Sequence, residues 1–246
     1  METKDFFFEK VYQLKPLYAE LMKSVEAYQE ADGLVPFCVQ WGEHFPVEED
    51  AGIMFYGRAT NGWVTFESDV DKLFDMDFTD RIFCRDDQMR WVENLAGNTG
   101  GYNTNNSAFW RVIRRTASAF YAENPLRHVV WSNVCKVAPD GANPSDALYY
   151  AQLPSARAIM QREIEIFSPK HVVLLTGQGW AKDFLYFLNG KQHTKSIKKH
   201  EWGNESQYVV KTYEIGGVNF YLSEHPQGKN EDTHVAALVE AIKSQS

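Results

Sequence analysis

The sequence predicts a three-layer α/β/α fold around a central, mainly parallel, four-stranded sheet. Three observations predict it. Short continuous apolar runs, "GIMFYG", "RHVVWSNVCKVAP" and "KHVVLLTG", have the pattern of strands buried on both faces. Segments with helical period separate them, so strand and helix alternate and helices cover both sides of the sheet. Each run then gives way to glycine and polar residues, as strands do where they open onto a ligand crevice. With 246 residues, 44% of them hydrophobic, the chain can bury one sizeable core. Residues 1–246 are therefore expected to form a single domain, with 1–50 as a helical extension and connection.

In chain order, residues 5–31 read as helical, because Phe7, Tyr12, Leu14, Leu17, Tyr18, Leu21, Met22 and Val25 recur mostly three or four apart. Residues 34–52 hold two prolines and few regular signals, and read as a connection. "GIMFYG" is the first strand. "RDDQMRWVENL" is a short helix, and "AGNTGGYNTNNSAF", with three glycines and four asparagines, is an irregular loop of the kind that carries function. Ser107 or Asn106 caps the helix that follows, with Phe109, Val112, Ile113, Thr116 and Phe120 on its inner face. There Phe109 and Trp110 are expected in the core. "RHVVWSNVCKVAP" is the second strand. "SARAIMQREIEIFSP" is a helix ending before Pro169, and "KHVVLLTG" is the third strand. "QGWAKDFLYFLNG" is a helix with Gly190 just past its end. "QYVVKTYEIGGVNFYLSEHP" is a hairpin turning at Gly216 and Gly217, and "DTHVAALVEAIKSQ" is the last helix.

Composition excludes several classes of function. The net charge of −8 provides no general attraction to phosphate backbones. The two cationic clusters, "RVIRR" and "KSIKKH", read first as solvated faces. Three widely spaced cysteines argue against a disulfide framework and for a reducing compartment. No apolar window is long enough to span a membrane, and the first residues lack a cationic leader, so a cytoplasmic location is expected. A dinucleotide fingerprint, a phosphate loop, a nucleophile elbow and zinc-ligand spacing are all absent, so no metal and no cofactor are expected.

What remains at the strand ends is a set of amides, an imidazole, aromatics and cations: "GRATNGW", "SNVCKVAP", "TGQGW" and "SEHPQGK". Such a set suits a flat heterocycle with amide edges. An asparagine donates and accepts along the edge of a pyrimidine while an aromatic ring stacks on its face, and a histidine near a carbonyl stabilises developing negative charge.

In this order the motifs resemble the uracil-DNA glycosylase superfamily over residues 53–229. The resemblance implies a uracil-DNA glycosylase-like fold and hydrolysis of the N-glycosidic bond of uracil or a related damaged base in DNA. It makes Gly57 to Gly62 the water-handling loop, with Asn61 and Arg58 as its candidate catalytic groups. Asn133 reads the pyrimidine edge, with Ser132, Gly57 and Trp63 as further substrate-binding residues. His225 supports the carbonyl of the departing base, and Gln227, Gly228 and Lys229 contact DNA.

The chain departs from the family pattern where Arg58 and Ala59 stand in place of Asp, Asn or Glu, since an arginine cannot act as a base at neutral pH. Water positioning then falls to Asn61, to a carboxylate such as Glu67 or Asp69, or to no residue at all. Arg58 itself could contact a phosphate, stabilise an anion or sit in a surface ion pair. Cys135 precedes Lys136, whereas the cluster-binding branch has its cysteine after the lysine, so no iron–sulfur centre is expected. The alternatives are a nucleic-acid or nucleotide binding module without catalysis, and a hydrolase of free nucleosides.

Overall fold

The structure, a computed structural model, describes residues 3–60, 62–84 and 87–245. The chain opens with α1 (Thr3–Val11) and α2 (Lys15–Asp32), joined by a single 3₁₀ turn. Two short strands, β1 (Leu34–Pro36) and β2 (Gln40–Trp41), lie within the stretch expected to be a plain connection. There follow β3 (Ile53–Gly57), α3 (Val70–Leu73), α4 (Arg90–Asn94), α5 (Ala108–Ser118), β4 (Val129–Asn133) and β5 (Val137–Pro139). The remainder is α6 (Asp146–Phe167), β6 (His171–Leu175), α7 (Gln178–Leu188), β7 (Lys198–Trp202), β8 (Tyr208–Ile215), β9 (Val218–Ser223) and α8 (Glu231–Lys243).

The fold is α/β, and its main sheet has seven strands, not four, in the order β2-β4-β3-β6-β9-β8-β7. The four central strands β4, β3, β6 and β9 run parallel. β2 is antiparallel on one side, and on the other side β8 and then β7 alternate in direction, so the sheet is mixed. The extra strands were hidden for different reasons. β2 is only two residues long, and β7 reads "KKHEW", with exposed lysines on the outermost strand. Charged side chains on an edge strand block further pairing, which accounts for the cationic cluster at 195–200.

Side-chain alternation along the central strands divides the core between two faces. Met54, Tyr56, Val130, Val172, Leu174, Phe220 and Leu222 face α1, α2, α6 and α7. Ile53, Phe55, Val129, Trp131, Val173, Leu175 and Tyr221 face α4, α5 and α8. Each fully buried large apolar side chain contributes about 1.5–3 kcal/mol, and these strands are buried on both faces, which explains their uninterrupted apolar pattern.

Local signals set the helix boundaries. Ser107 caps α5 and Ser145 caps α6, each accepting from a backbone N–H three residues on. α6 starts well before the "SARAIM" run and carries Pro154 inside it. All three cysteines are free and buried. Among the described residues no helix is long and apolar enough to cross a membrane.

Candidate active site

A cavity of about 1380 Å³ opens at the carboxyl ends of the parallel strands, on the α5 side of the sheet. Segments distant in the chain meet there. The loop after β3 contributes residues 57–64 apart from Asn61, β4 contributes Asn133, and the segment after β9 contributes His225 and Gln227 to Lys229. Asn61 lies outside the described residues. The stretch Thr176 to Trp180, after β6, does not line the cavity but holds Arg58 from behind.

Asn133 sits at the inner end. It is the last residue of β4, pairs in register with Gly57, and is 1% exposed. The ladder continues one step past both strands, because the amides of Val134 and Cys135 donate to the carbonyls of Gly57 and Arg58 at 3.0 and 2.9 Å. The Asn133 backbone is thereby held in place, while its Nδ2 is buried with no partner among the described residues. An unmade buried donor costs about 1–3 kcal/mol, so this amide is poised for an acceptor.

Gly57 is dictated by close approach. A Cβ there would lie 2.4 Å from Asn133 Oδ1 and 3.2 Å from the Phe109 ring. Phe109 in turn stacks on the His225 ring, with centroids 6.0 Å apart and planes 11° from parallel. Phe109 is therefore a wall of the cavity, half-buried, and not the core residue its helix pattern suggested. The signal was present in its position, the second residue of a helix that begins straight out of the asparagine-rich loop.

His225 Nδ1 accepts from the Gln227 backbone amide at 3.3 Å, which leaves the proton of the neutral ring on Nε2. Burial, reinforced by the positive charges of Arg58 and Lys229, lowers its pKa to about 4. At neutral pH the ring is thus an uncharged donor. Arg58 is half-buried; its Nε donates to the Thr176 carbonyl at 2.8 Å and its guanidinium lies 5.9 Å from the Trp180 ring centroid. Burial pulls its pKa down, and nearby Glu224 opposes the shift.

Gln227, Gly228 and Lys229 form a tight turn at the rim. The Lys229 amide donates to the Pro226 carbonyl at 3.1 Å, and Gly228 takes the positive φ of 74° that such a turn requires. Lys229 Nζ lies 5.3 Å from the Tyr208 ring centroid. Trp63 lines the cavity with its indole N–H on the Ile82 carbonyl at 3.3 Å.

Ser132 does not reach the cavity. Strand alternation turns it to the opposite face, where its Oγ donates to Glu163 at 3.0 Å and accepts from Lys136 Nζ at 2.7 Å. Glu67 and Asp69 are also remote: Glu67 accepts from Lys72 Nζ at 2.8 Å, and Asp69 caps α3. Glu231 is the carboxylate that lines the cavity among the described residues, and Arg111 Nε donates to both of its oxygens, at 3.2 and 3.0 Å. The "RVIRR" cluster is thus paired within the chain, with Arg115 on Asp232 at 2.6 Å at the exposed surface and Arg114 donating to Asn105 at 3.0 Å.

The loop 97–106 forms the outer wall. Asn103 Oδ1 accepts from the amides of Gly97 and Asn105, and Thr104 Oγ1 donates to the Val92 carbonyl at 2.6 Å. Tyr102 stands exposed on this loop and, like Trp91, faces the cavity. Neither residue was singled out by the sequence pattern, because an isolated aromatic in a loop or a one-turn helix has no periodicity to interpret. Among the described residues no group of three or more potential metal ligands comes together. No protein-family model matches the chain, and no curated protein matches it as a relative.

Proposed function

We propose that the cavity receives a uracil-like base from DNA and that the protein hydrolyses its N-glycosidic bond. The observation that carries this reading is the buried Nδ2 of Asn133, which has no partner among the described residues and is set in the same cavity as the neutral His225. Asn133 offers a donor to a ring carbonyl, while Phe109 and Trp63 supply aromatic walls. As the bond to the sugar breaks, its electron pair leaves with the base. The Nε2–H of His225 and the charge of Arg58 stabilise that anion. Water then adds at the sugar carbon and its proton passes through solvent to the base. A cytoplasmic setting accords with three buried free thiols.

One observation favours a second reading, a binding module that does not cleave. The carboxylate that lines the cavity among the described residues, Glu231, is engaged on both oxygens by Arg111. The two readings separate when the protein is incubated with labelled single- and double-stranded uracil-containing oligonucleotides and abasic sites are cleaved with alkali. Strand scission that disappears in Asn133→Ala and His225→Ala supports the glycosylase. Retained binding with no base release in the native protein selects the module.

A further inference from the structure

One pyrimidine against Asn133 would leave most of the cavity unfilled. Its volume of about 1380 Å³ exceeds the range of roughly 300–1,000 Å³ that accommodates a drug-sized ligand. The unfilled part is aromatic. Trp131 lies two residues before Asn133 on the same face of β4, about 7 Å along the strand. From it the wall passes through Trp110 and Trp91, with ring centroids 4.8 and 5.7 Å from Trp131, and meets the base site at Trp63, 5.6 Å from Trp131. Tyr102 completes it from the loop side.

These rings are not all sealed in the core. Trp63 and Trp91 are half-buried, and Tyr102 is 48% exposed. Moreover, the indole N–H groups of Trp91 and Trp131 are buried with no partner among the described residues. A ligand that brings acceptors would satisfy donors left open on this wall.

We propose that this wall is a second subsite that stacks the ring of the nucleotide next to the one at Asn133, so that the ligand is a single strand of two or more nucleotides. The inference rests on the base-site reading and narrows its substrate class. Charge points the same way. The net charge is −8, and of the cavity-lining cations Arg58, Arg111 and Lys229, Arg111 is held by Glu231. Among the described residues two cavity-lining cations remain, too few to track a duplex backbone within the cavity, so affinity there comes from stacking, which tolerates any base and requires rings already free of a duplex. With two phosphates neutralised, the slope of log K against log salt is no steeper than about −1.4.

Tryptophan fluorescence titration of the full chain tests this with four probes: deoxyuridine monophosphate, a thymidine–deoxyuridine dinucleotide, a single-stranded ten-nucleotide oligomer with one central deoxyuridine, and the same oligomer within a duplex. The dinucleotide is expected to bind roughly tenfold tighter than the monophosphate, and the single strand tighter than the duplex, with the shallow salt slope. Tyr102→Ala, at an exposed position, and Trp91→Leu should each reduce that gain severalfold or more and leave the monophosphate unaffected. If the dinucleotide binds no tighter than the monophosphate, or if the gain survives Tyr102→Ala, the subsite proposal is overturned while the base site stands. If the gain depends on Tyr102 but nothing depends on Asn133, the base-site reading has failed and the aromatic subsite remains. If no nucleotide binds at all, both are overturned.

Discussion

Lys136 Nζ lies 2.7 Å from Glu163 Oε2, both side chains wholly buried, on the face of the sheet opposite the cavity. Glu163 also accepts from Tyr56 Oη at 2.9 Å and from Ser132 Oγ, the two register partners that immediately precede Gly57 and Asn133. Gln152 Oε1 accepts the amides of Lys136 and Val137 at 2.9 and 3.1 Å. The segment carrying Asn133 is thereby held from behind. Removing one partner of such a pair strands a buried charge, so Glu163→Leu is expected to cost about 3–5 kcal/mol. Lys136→Met combined with Glu163→Leu should lose much less, because no charge remains buried. Urea unfolding of the three proteins measures both.

Gly57→Ala should be expensive for its size. The added methyl would meet Asn133 Oδ1 at 2.4 Å and the Phe109 ring at 3.2 Å, and strand-held neighbours have little room to move. A loss of about 1–3 kcal/mol is expected from overpacking. Binding of deoxyuridine monophosphate should fall further than stability does, because Asn133 must rotate away. Thermal melts alongside ligand titration separate the two effects.

Acid should destabilise the protein in a defined window. Burial lowers the pKa of His171 to about 4, of His225 to about 4 and of His234 to about 3. Above pH of about 6.5 these rings are neutral in both folded and unfolded chains, and they impose no pH dependence. Below it the unfolded chain takes up protons that the folded chain refuses, so stability falls as pH drops from about 6.5 through about 4. Each proton contributes a slope of up to about 1.4 kcal/mol per pH unit. Denaturant unfolding at pH 7.5, 6 and 5 checks this, and His171→Gln should flatten the loss.

If the glycosylase reading holds, His225→Ala is expected to reduce kcat by about 10²–10³ with little change in KM, because its Nε2–H acts on charge that develops only as the bond breaks. Arg58→Gln should act in the same direction, since its guanidinium is already anchored by Thr176 and needs no rearrangement to meet the anion. Single-turnover measurements with a uracil-containing single strand give both numbers.

Burial drives what could be read directly from the chain. β3, β4 and β6 are each buried on both faces, and so their apolar runs were legible. The β8–β9 hairpin was legible too, because Gly216 and Gly217 take positive φ at its turn. β2, too short to show alternation, and β7, carrying edge lysines, were not. The site divides along the same line. Gly57, Arg58, Trp63, Asn133, His225 and the turn 227–229 meet in one cavity because each ends or follows a parallel strand at the same end of the sheet.

Periodicity together with local turn and cap chemistry was enough to read the buried central strands, most of the longer helices and the polar residues that stand at the strand ends. Three-dimensional packing was needed to turn Ser132 away to Glu163, to bring Phe109 onto His225, and to set Arg111 against Glu231. The physical reason is that facing and pairing depend on neighbours distant along the chain. A strand places adjacent residues on opposite sides, and an arginine at position 111 gains its charge partner only when α5 and α8 pack together.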